Sequence, residues 1–210
     1  MMSFFNLFFK TFIKPKQAFE TLLQRPDYFK LGFLYILLPV AGYTLMYIFL
    51  TIAHGAPSVF TPWLNIEKEN YYSINRYLLA PSMLLCWVAA AGFIQIVARF
   101  QHTKASFEQT LSVLALSISV AMLFSLLHDL PMSFMSAVSI INAREHEIAM
   151  NSPGIWRFLL WFFYSLYGIA FLVLFPYTVR VVHGMGWMKS IVMGWLAFVL
   201  FQLLFLLFNR

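Results

Sequence analysis

The sequence contains little charge and a single thiol. Only 10% of its 210 residues are charged, and Cys86 is its one cysteine. One cysteine cannot form an intrachain disulfide or a thiolate metal cluster, and it does not indicate a redox compartment. The formal charge of +6 is scattered between hydrophobic runs instead of being grouped in a soluble domain. We therefore expect no nucleic-acid partner.

The apolar runs also lack the residues that catalysis and ion transport use. None of the five long apolar cores contains Asp, Glu, Lys or Arg in its interior, and Arg157 lies at the edge of the fourth. An ion-coupled transporter or an intramembrane hydrolase needs such groups inside the membrane. No G-x-S-x-G or H-E-x-x-H motif is present. We predict that the chain is not an enzyme, with no catalytic residue, metal ligand or cofactor.

What the chain does have is long hydrophobic runs. Hydrophobic residues make up 61% of it, and the mean hydropathy is +0.77. A helix needs about 20 residues to cross the hydrocarbon core of a bilayer. Runs of this length predict an all-α fold, a polytopic membrane bundle of five transmembrane helices. The predicted spans are residues 31–53, 78–98, 109–127, 157–179 and 190–208.

The basic residues predict the orientation of this bundle. Nine of the 14 precede the first span or lie in the two short loops: Lys10, Lys14, Lys16, Arg25, Lys30, Arg99, Lys104, Arg180 and Lys189. The opposite side has Lys68, Arg76, Arg144, Arg157 and Arg210. Because the cytoplasmic side of membrane proteins carries the excess of Lys and Arg, we predict a cytoplasmic N-terminus and an external C-terminus.

Residues 1–30 form an N-terminal arm that precedes the transmembrane domain of residues 31–210. Its pattern is that of an amphipathic interfacial helix, and lysines interrupt its apolar stretch, which argues against a cleaved signal peptide. We predict that the arm lies in the cytoplasmic interface and contacts anionic lipid headgroups or a protein partner. The residues expected to make these contacts are Phe5, Phe8, Phe12, Lys10, Lys14 and Lys16.

Four polar residues in or near the spans are candidates for function. Gln95 and Gln202 need hydrogen-bond partners in hydrocarbon, and bonding between helices is the expected one. His128 and Asp129 at the end of the third span are suited to proton relay or metal binding. The interpretation we favour is a helix stop before Pro131, with Asp129 capping the next helix.

Residues 132–150 are predicted to form a short interfacial helix that ends before Pro153, with a shallow re-entrant segment as the alternative. The charged group Glu145-His146-Glu147 in this region lacks the spacing of metal ligands, because adjacent positions point in different directions on a helix. We interpret it as a solvated patch.

Small residues predict two faces where helices approach closely. They recur every four positions and give each face a flat surface. The predicted packing residues are Ser117, Ala121, Ser125, Gly186, Ser190 and Gly194. Pro39, Pro81 and Pro176 are predicted to lie inside three of the spans and to kink them.

The N-terminal arm and the span layout together resemble the Yip-domain family, the Ypt/Rab-interacting proteins, in its short bacterial form. The similar features are the segment Lys14-Pro15-Lys16-Gln17-Ala18-Phe19, Pro26 before the first span, and five spans with short second and fourth loops. The D-L-Y-G-P and G-T-P-L motifs of eukaryotic relatives are absent. The resemblance implies a membrane adaptor or shaping protein without known catalysis, in the bacterial inner membrane.

Three functions remain at this point. The leading hypothesis is a non-enzymatic membrane adaptor, lipid-interacting protein or accessory subunit of a larger complex, with a membrane-protein partner or a second copy of itself. The alternative is a small channel or transporter for a neutral or lipidic solute, built around Gln95. An intramembrane enzyme is third, and it would require a polar cavity beside His128 and Asp129.

Overall fold

The computed structural model describes residues 3–57 and 66–209. Over these residues the chain forms helices and no strands. The α-helices are α1 (Phe4–Ile13), α2 (Pro15–Leu23), α3 (Tyr28–Ile52), α4 (Tyr71–Arg99), α5 (Phe107–Ala137), α6 (Ala143–Asn151), α7 (Ile155–His183) and α8 (Trp187–Phe208), with a short 3₁₀ turn at Lys68–Asn70 before α4. Arg210, one of the charges used to predict the orientation, lies outside the described residues.

Five of these helices are long and apolar enough to cross a membrane: α3, α4, α5, α7 and α8. They have 22 to 31 residues each. At 1.5 Å of rise per residue, all five exceed the roughly 30 Å thickness of the hydrocarbon core. The predicted all-α bundle with five such helices is confirmed, and each helix contains the greater part of its predicted span.

The centre of the bundle is α5. In its most apolar stretch 83% of the residues are buried, whereas the corresponding shares in the other four helices are 22 to 44%. It packs against α3, α4 and α7, while α8 packs against α4 and α7. Small side chains such as Ser112, Ala115 and Ser119 along α5 permit this all-round contact. The outer helices are therefore left with one face each for lipid.

Two glycines lie where neighbouring helices approach each other closely. A Cβ atom added to Gly32 on α3 would lie 2.5 Å from the Cα atom of Ser112 on α5. One added to Gly194 on α8 would lie 2.5 Å from the backbone nitrogen of Pro176 on α7. Both distances are far below van der Waals contact, so these positions accept no side chain without a shift of a helix.

The third long helix does not stop where the sequence suggested. α5 continues through Pro131 to Ala137, so the predicted stop at His128-Asp129 and the cap by Asp129 are wrong. A proline removes only its own N–H from the hydrogen-bond ladder and is tolerated in apolar helices whose neighbours compensate. Pro39, Pro81 and Pro176 likewise lie inside helices, as predicted.

The segment after α5 differs accordingly from its prediction. Residues 132–137 complete α5, and the short helix expected here, α6, begins only at Ala143. Asn142 caps α6, because its side-chain oxygen accepts hydrogen bonds from the backbone N–H groups of Arg144 and Glu145. As predicted, α6 ends before Pro153.

The N-terminal arm forms two helices that pack against each other and against the bundle, α1 on α5 and α2 on α5 and α7. Pro15 starts the second helix at its first position, as predicted from its fixed φ. The Tyr35 hydroxyl donates to the carbonyl oxygen of Phe4 at 2.8 Å. The ring of Phe12 contacts that of Phe124, in the middle of α5. α1 therefore lies alongside α3 and α5 over part of their length.

Candidate functional site

A cavity of about 330 Å³ lies at the end of the bundle where α5 ends and α7 begins. Five helices line it: α3, α4, α5, α6 and α7. We call it the His128 cavity. Its titratable groups, apart from tyrosines, are His128, Asp129, His146 and Glu147, and its aromatic lining consists of Tyr43, Tyr47, Tyr71, Tyr72, Trp161 and Tyr164. Among the described residues that line it there is no lysine or arginine.

A hydrogen-bonded chain of three side chains forms one wall of the cavity. The Nδ1 atom of His128 lies 2.7 Å from one carboxylate oxygen of Asp129. The hydroxyl of Tyr164 donates to the other oxygen of Asp129 at 2.8 Å. An ionised carboxylate only accepts hydrogen bonds, and beside one the Nδ1 atom carries a hydrogen. In a neutral His128 the Nε2 atom therefore presents a lone pair.

That Nε2 atom is buried, and it has no hydrogen-bond partner within the part of the chain that the structure describes. The His128 side chain as a whole is only 3% exposed. An unpaired buried polar atom costs about 1–3 kcal/mol. No serine of the described residues is bonded to Nε2, so the three side chains do not form a Ser-His-Asp triad there.

A second imidazole faces the first. The ring centroids of His128 and His146 are 6.5 Å apart, and those of His146 and Trp156 are 5.0 Å apart with the two rings nearly perpendicular. The Nε2 atom of His146 is also buried without a partner among the described residues. Burial, and secondarily the neighbouring His128, hold the pKa of His146 below its usual 6.5, although Glu147 and Asp129 act in the opposite direction. His146 is therefore neutral at pH 7.

α6 brings His146 and Glu147 to the cavity. The Tyr72 hydroxyl on α4 donates to a carboxylate oxygen of Glu147 at 3.1 Å, which connects α6 to α4. The interpretation of Glu145-His146-Glu147 as a solvated patch holds for exposed Glu145 and is wrong for the other two. The sequence does contain a signal for this arrangement, which is helical spacing. Ala143, His146, Glu147 and Met150 share one face of α6, and all four line the cavity.

The two predicted intramembrane amides lie elsewhere and have partners. Gln95 donates to the carbonyl oxygen of Ala105 and accepts from Thr110, both at 2.8 Å. Gln202 accepts a hydrogen bond from the Tyr167 hydroxyl at 2.8 Å. Each amide joins neighbouring elements, and the two lie near opposite ends of the bundle. The structure does not bring them together.

The small residues predicted to pack lie at helix contacts. Ala121 is fully buried, and the Ser117 hydroxyl lies 2.8 Å from that of Thr178 on α7. Ser125 bonds to the Tyr43 hydroxyl on α3. On α8, Ser190 and Gly194 are buried, whereas Gly186 is the N-terminal capping residue of the helix. Of the two glycines in this second group, Gly194 lies against the backbone of α7, whereas a Cβ atom added to Gly186 would meet nothing within 4 Å.

The contact residues predicted on the N-terminal arm divide into two sets. Phe5 is 65% exposed and Phe12 37% exposed, while Phe8 is buried at 6% and packs near Tyr35. Phe8 is therefore occupied by the protein's own packing. Of the three lysines, Lys14 and Lys16 are exposed and Lys10 is half-buried. Lys16 lies 3.7 Å from Glu20 in an exposed ion pair.

Two further observations limit the chemistry of the described residues. In ranges 3–57 and 66–209, no group of three His, Cys, Asp or Glu side chains is placed to hold a metal ion.

A second cavity of about 600 Å³ lies between α4 and α8. Apart from Gln101 and Lys189, which bond to each other at 2.6 Å, its lining is apolar. The His128 cavity is therefore the richer in polar groups that can orient a ligand.

The fold and this cavity together define a class, the polytopic α-helical membrane proteins. A more specific assignment comes from a family model. The model described as the Yip1 domain matches residues 9–208, nearly the whole chain, and the protein belongs to this family. The resemblance seen in the sequence is thereby confirmed. Comparisons with curated proteins and with solved structures give no significant match.

Proposed function

We propose that this Yip1-domain protein is a non-enzymatic, lipid-interacting membrane protein that holds the polar head of a membrane amphiphile in the His128 cavity. The observation that carries the proposal is the buried, unpartnered Nε2 atom of His128 in a cavity with an aromatic lining. A polar head that bonds to this atom recovers the free energy that the unpaired state costs.

The size and position of the cavity favour an amphiphile over a small solute. Its volume of about 330 Å³ is at the lower end for ligand pockets, enough for a headgroup but not for acyl chains. Trp161, which lines it, is 62% exposed, and Phe158 and Phe162 on the same helix are 63% and 48% exposed. In a bilayer this apolar surface of α7 contacts lipid, so chains can lie on it while the head enters the cavity.

The N-terminal arm supports a second contact with lipid. The exposed Lys14 and Lys16 on the N-terminal arm are suited to anionic headgroups, to which each basic residue near the surface contributes about 1 kcal/mol. The same arm is where we propose that a membrane-protein partner or a second copy of the chain binds. We further propose the bacterial inner membrane as the location.

The channel alternative receives less support from the geometry. A pore needs several polar groups on one face with free hydrogen-bonding capacity. Both polar atoms of the Gln95 amide are engaged by Ala105 and Thr110. A flux assay in proteoliposomes tests this alternative directly: solute flux that Gln95→Leu abolishes would support it.

Native mass spectrometry of the gently extracted full chain tests the proposed function. We expect one co-purified amphiphile per chain. Ser133→Phe and the milder Ser136→Met add volume inside the cavity and should each lose it. Ser73→Phe adds the same volume near the start of α4, outside the cavity lining, and should retain it. Retention by all three variants, or absence from the wild-type protein, would refute the proposal.

A further inference from the structure

We infer that the head bound in the His128 cavity is a primary ammonium group, R–NH₃⁺. The inference rests on the proposed function and specifies the chemical class of its ligand. Three independent properties of the lining support it: its charge, its hydrogen-bonding capacity and its aromatic content.

The charge of the lining favours a cation. Asp129 and Glu147 contribute carboxylates, and the described lining residues include no lysine or arginine. One oxygen of Asp129 lies 2.7 Å from the Nδ1 atom of His128, and the other accepts a hydrogen bond from the Tyr164 hydroxyl. In a cavity of reduced dielectric constant, this negative charge attracts a cation and repels a phosphate or carboxylate. An anionic head would have no basic side chain of the lining to pair with.

The hydrogen-bonding capacity requires a donor on that cation. With its Nδ1 atom facing Asp129 at 2.7 Å, a neutral His128 ring presents its Nε2 atom to the cavity as an acceptor. A primary ammonium group has three N–H donors and satisfies this atom. A quaternary ammonium group has none and would leave Nε2 unpaired, at the cost of a buried polar atom. A hydroxyl head provides one donor but no charge.

The aromatic content supplies the remaining attraction. Six aromatic side chains line the cavity, five of them tyrosines, with Trp161 as the sixth. The faces of such rings carry partial negative charge and attract ammonium groups. The lining thus combines carboxylates, a lone pair and aromatic rings, and a primary ammonium group interacts favourably with all three.

This chemistry is available from two sources. One is the ammonium end of an ethanolamine-type phospholipid headgroup, with its phosphate outside the cavity, and the other is a free aliphatic amine. The first test uses the full chain in a neutral maltoside detergent and follows tryptophan fluorescence. The probes are n-octylammonium, n-octyltrimethylammonium and octanoate. We expect the dissociation constant of octylammonium to be at least tenfold lower than that of either other probe.

Two variants of α6 provide a matched comparison. Glu147→Gln removes a carboxylate from the cavity and should weaken octylammonium binding at least tenfold. Glu145→Gln makes the same change at an exposed position two residues away, which is not part of the lining, and should leave binding unchanged. Equal effects of the two substitutions, or equal affinity for octylammonium and octyltrimethylammonium, would overturn the inference.

A second experiment distinguishes the two sources. The full chain is placed in phosphatidylglycerol nanodiscs that contain a small fraction of phosphatidylethanolamine or phosphatidylcholine with brominated chains. Stronger tryptophan quenching by the ethanolamine lipid supports a lipid headgroup as the ligand. Saturable binding of aqueous ethylammonium without preferential quenching supports a free amine.

Failures of the two proposals can be told apart. If an amphiphile co-purifies and is lost on cavity filling, yet octanoate binds as tightly as octylammonium, only the ammonium inference is wrong. If no amphiphile co-purifies and no probe saturates, both the proposed function and the ammonium inference are wrong.

Discussion

Replacement of Gly194 by alanine should destabilise the protein, because this position sets the contact between α7 and α8. The added Cβ atom would lie 2.5 Å from the nitrogen of Pro176 and 2.8 Å from the carbonyl carbon of Phe175. These are backbone atoms inside a helix, so no side-chain rotation relieves the clash. Ordinary contact requires about 3.4 Å or more, and α8 must therefore move outward by about 1 Å.

The expected magnitude follows from two opposing effects. Overpacking of this kind costs about 1–3 kcal/mol, and more where backbone must shift. Replacement of glycine by alanine in a helix stabilises the folded state by about 0.5–1 kcal/mol, because the unfolded chain loses backbone entropy. We therefore expect a net loss of about 1–2 kcal/mol in the free energy of unfolding, measured by denaturant unfolding in detergent micelles and followed by circular dichroism.

Gly168 provides the matched control for this substitution. It too lies inside a long helix, α7, but a Cβ atom added there would meet nothing within 4 Å. Gly168→Ala should leave stability unchanged or raise it by up to about 1 kcal/mol. If Gly194→Ala proved as stable as Gly168→Ala, the close approach of α7 and α8 described above would be wrong.

Three further predictions concern the hydrogen bonds of Gln95, the orientation of the bundle in the membrane and the dependence of stability on pH. Gln95→Leu should cost about 1–3 kcal/mol in unfolding free energy, because it leaves the carbonyl of Ala105 without its donor; a cost near zero would contradict this. Alkaline phosphatase fused after Asn70 should be active, and fused after His102 inactive, with the reverse pattern refuting the predicted orientation. His146 has a lower pKa folded than unfolded, so its unfolded state binds the proton more readily. Stability should therefore fall as the pH drops through about 6.5, and His146→Gln should reduce that fall in thermal denaturation curves.

The architecture was predictable because its main signal is local. An apolar run of about 20 residues identifies a spanning helix without knowledge of its neighbours. The end of α5 was not predictable in this way. Pro131 is a helix breaker when it is judged alone, yet α5 passes through it because the surrounding packing outweighs one lost hydrogen bond.

Only part of the candidate site could be predicted from the sequence. His128 and Asp129 are adjacent in sequence, so their pairing can be proposed from the sequence alone. Tyr164 and Glu147 reach the cavity from α7 and α6, and no local pattern indicates that these helices meet. The helical spacing of His146 and Met150 identifies a face of α6 but not what that face covers.

The central claim is that a ligand bonds to the imidazoles of the His128 cavity, and ¹⁵N NMR of the five histidines measures this most directly. The full chain, labelled at histidine and held in detergent micelles, is titrated with octylammonium. We predict that the Nε2 signal of His128 shifts, with that of His146, while those of His54 and His102 stay constant. Unchanged signals of His128 and His146, or equal shifts of all five histidines, would contradict the claim.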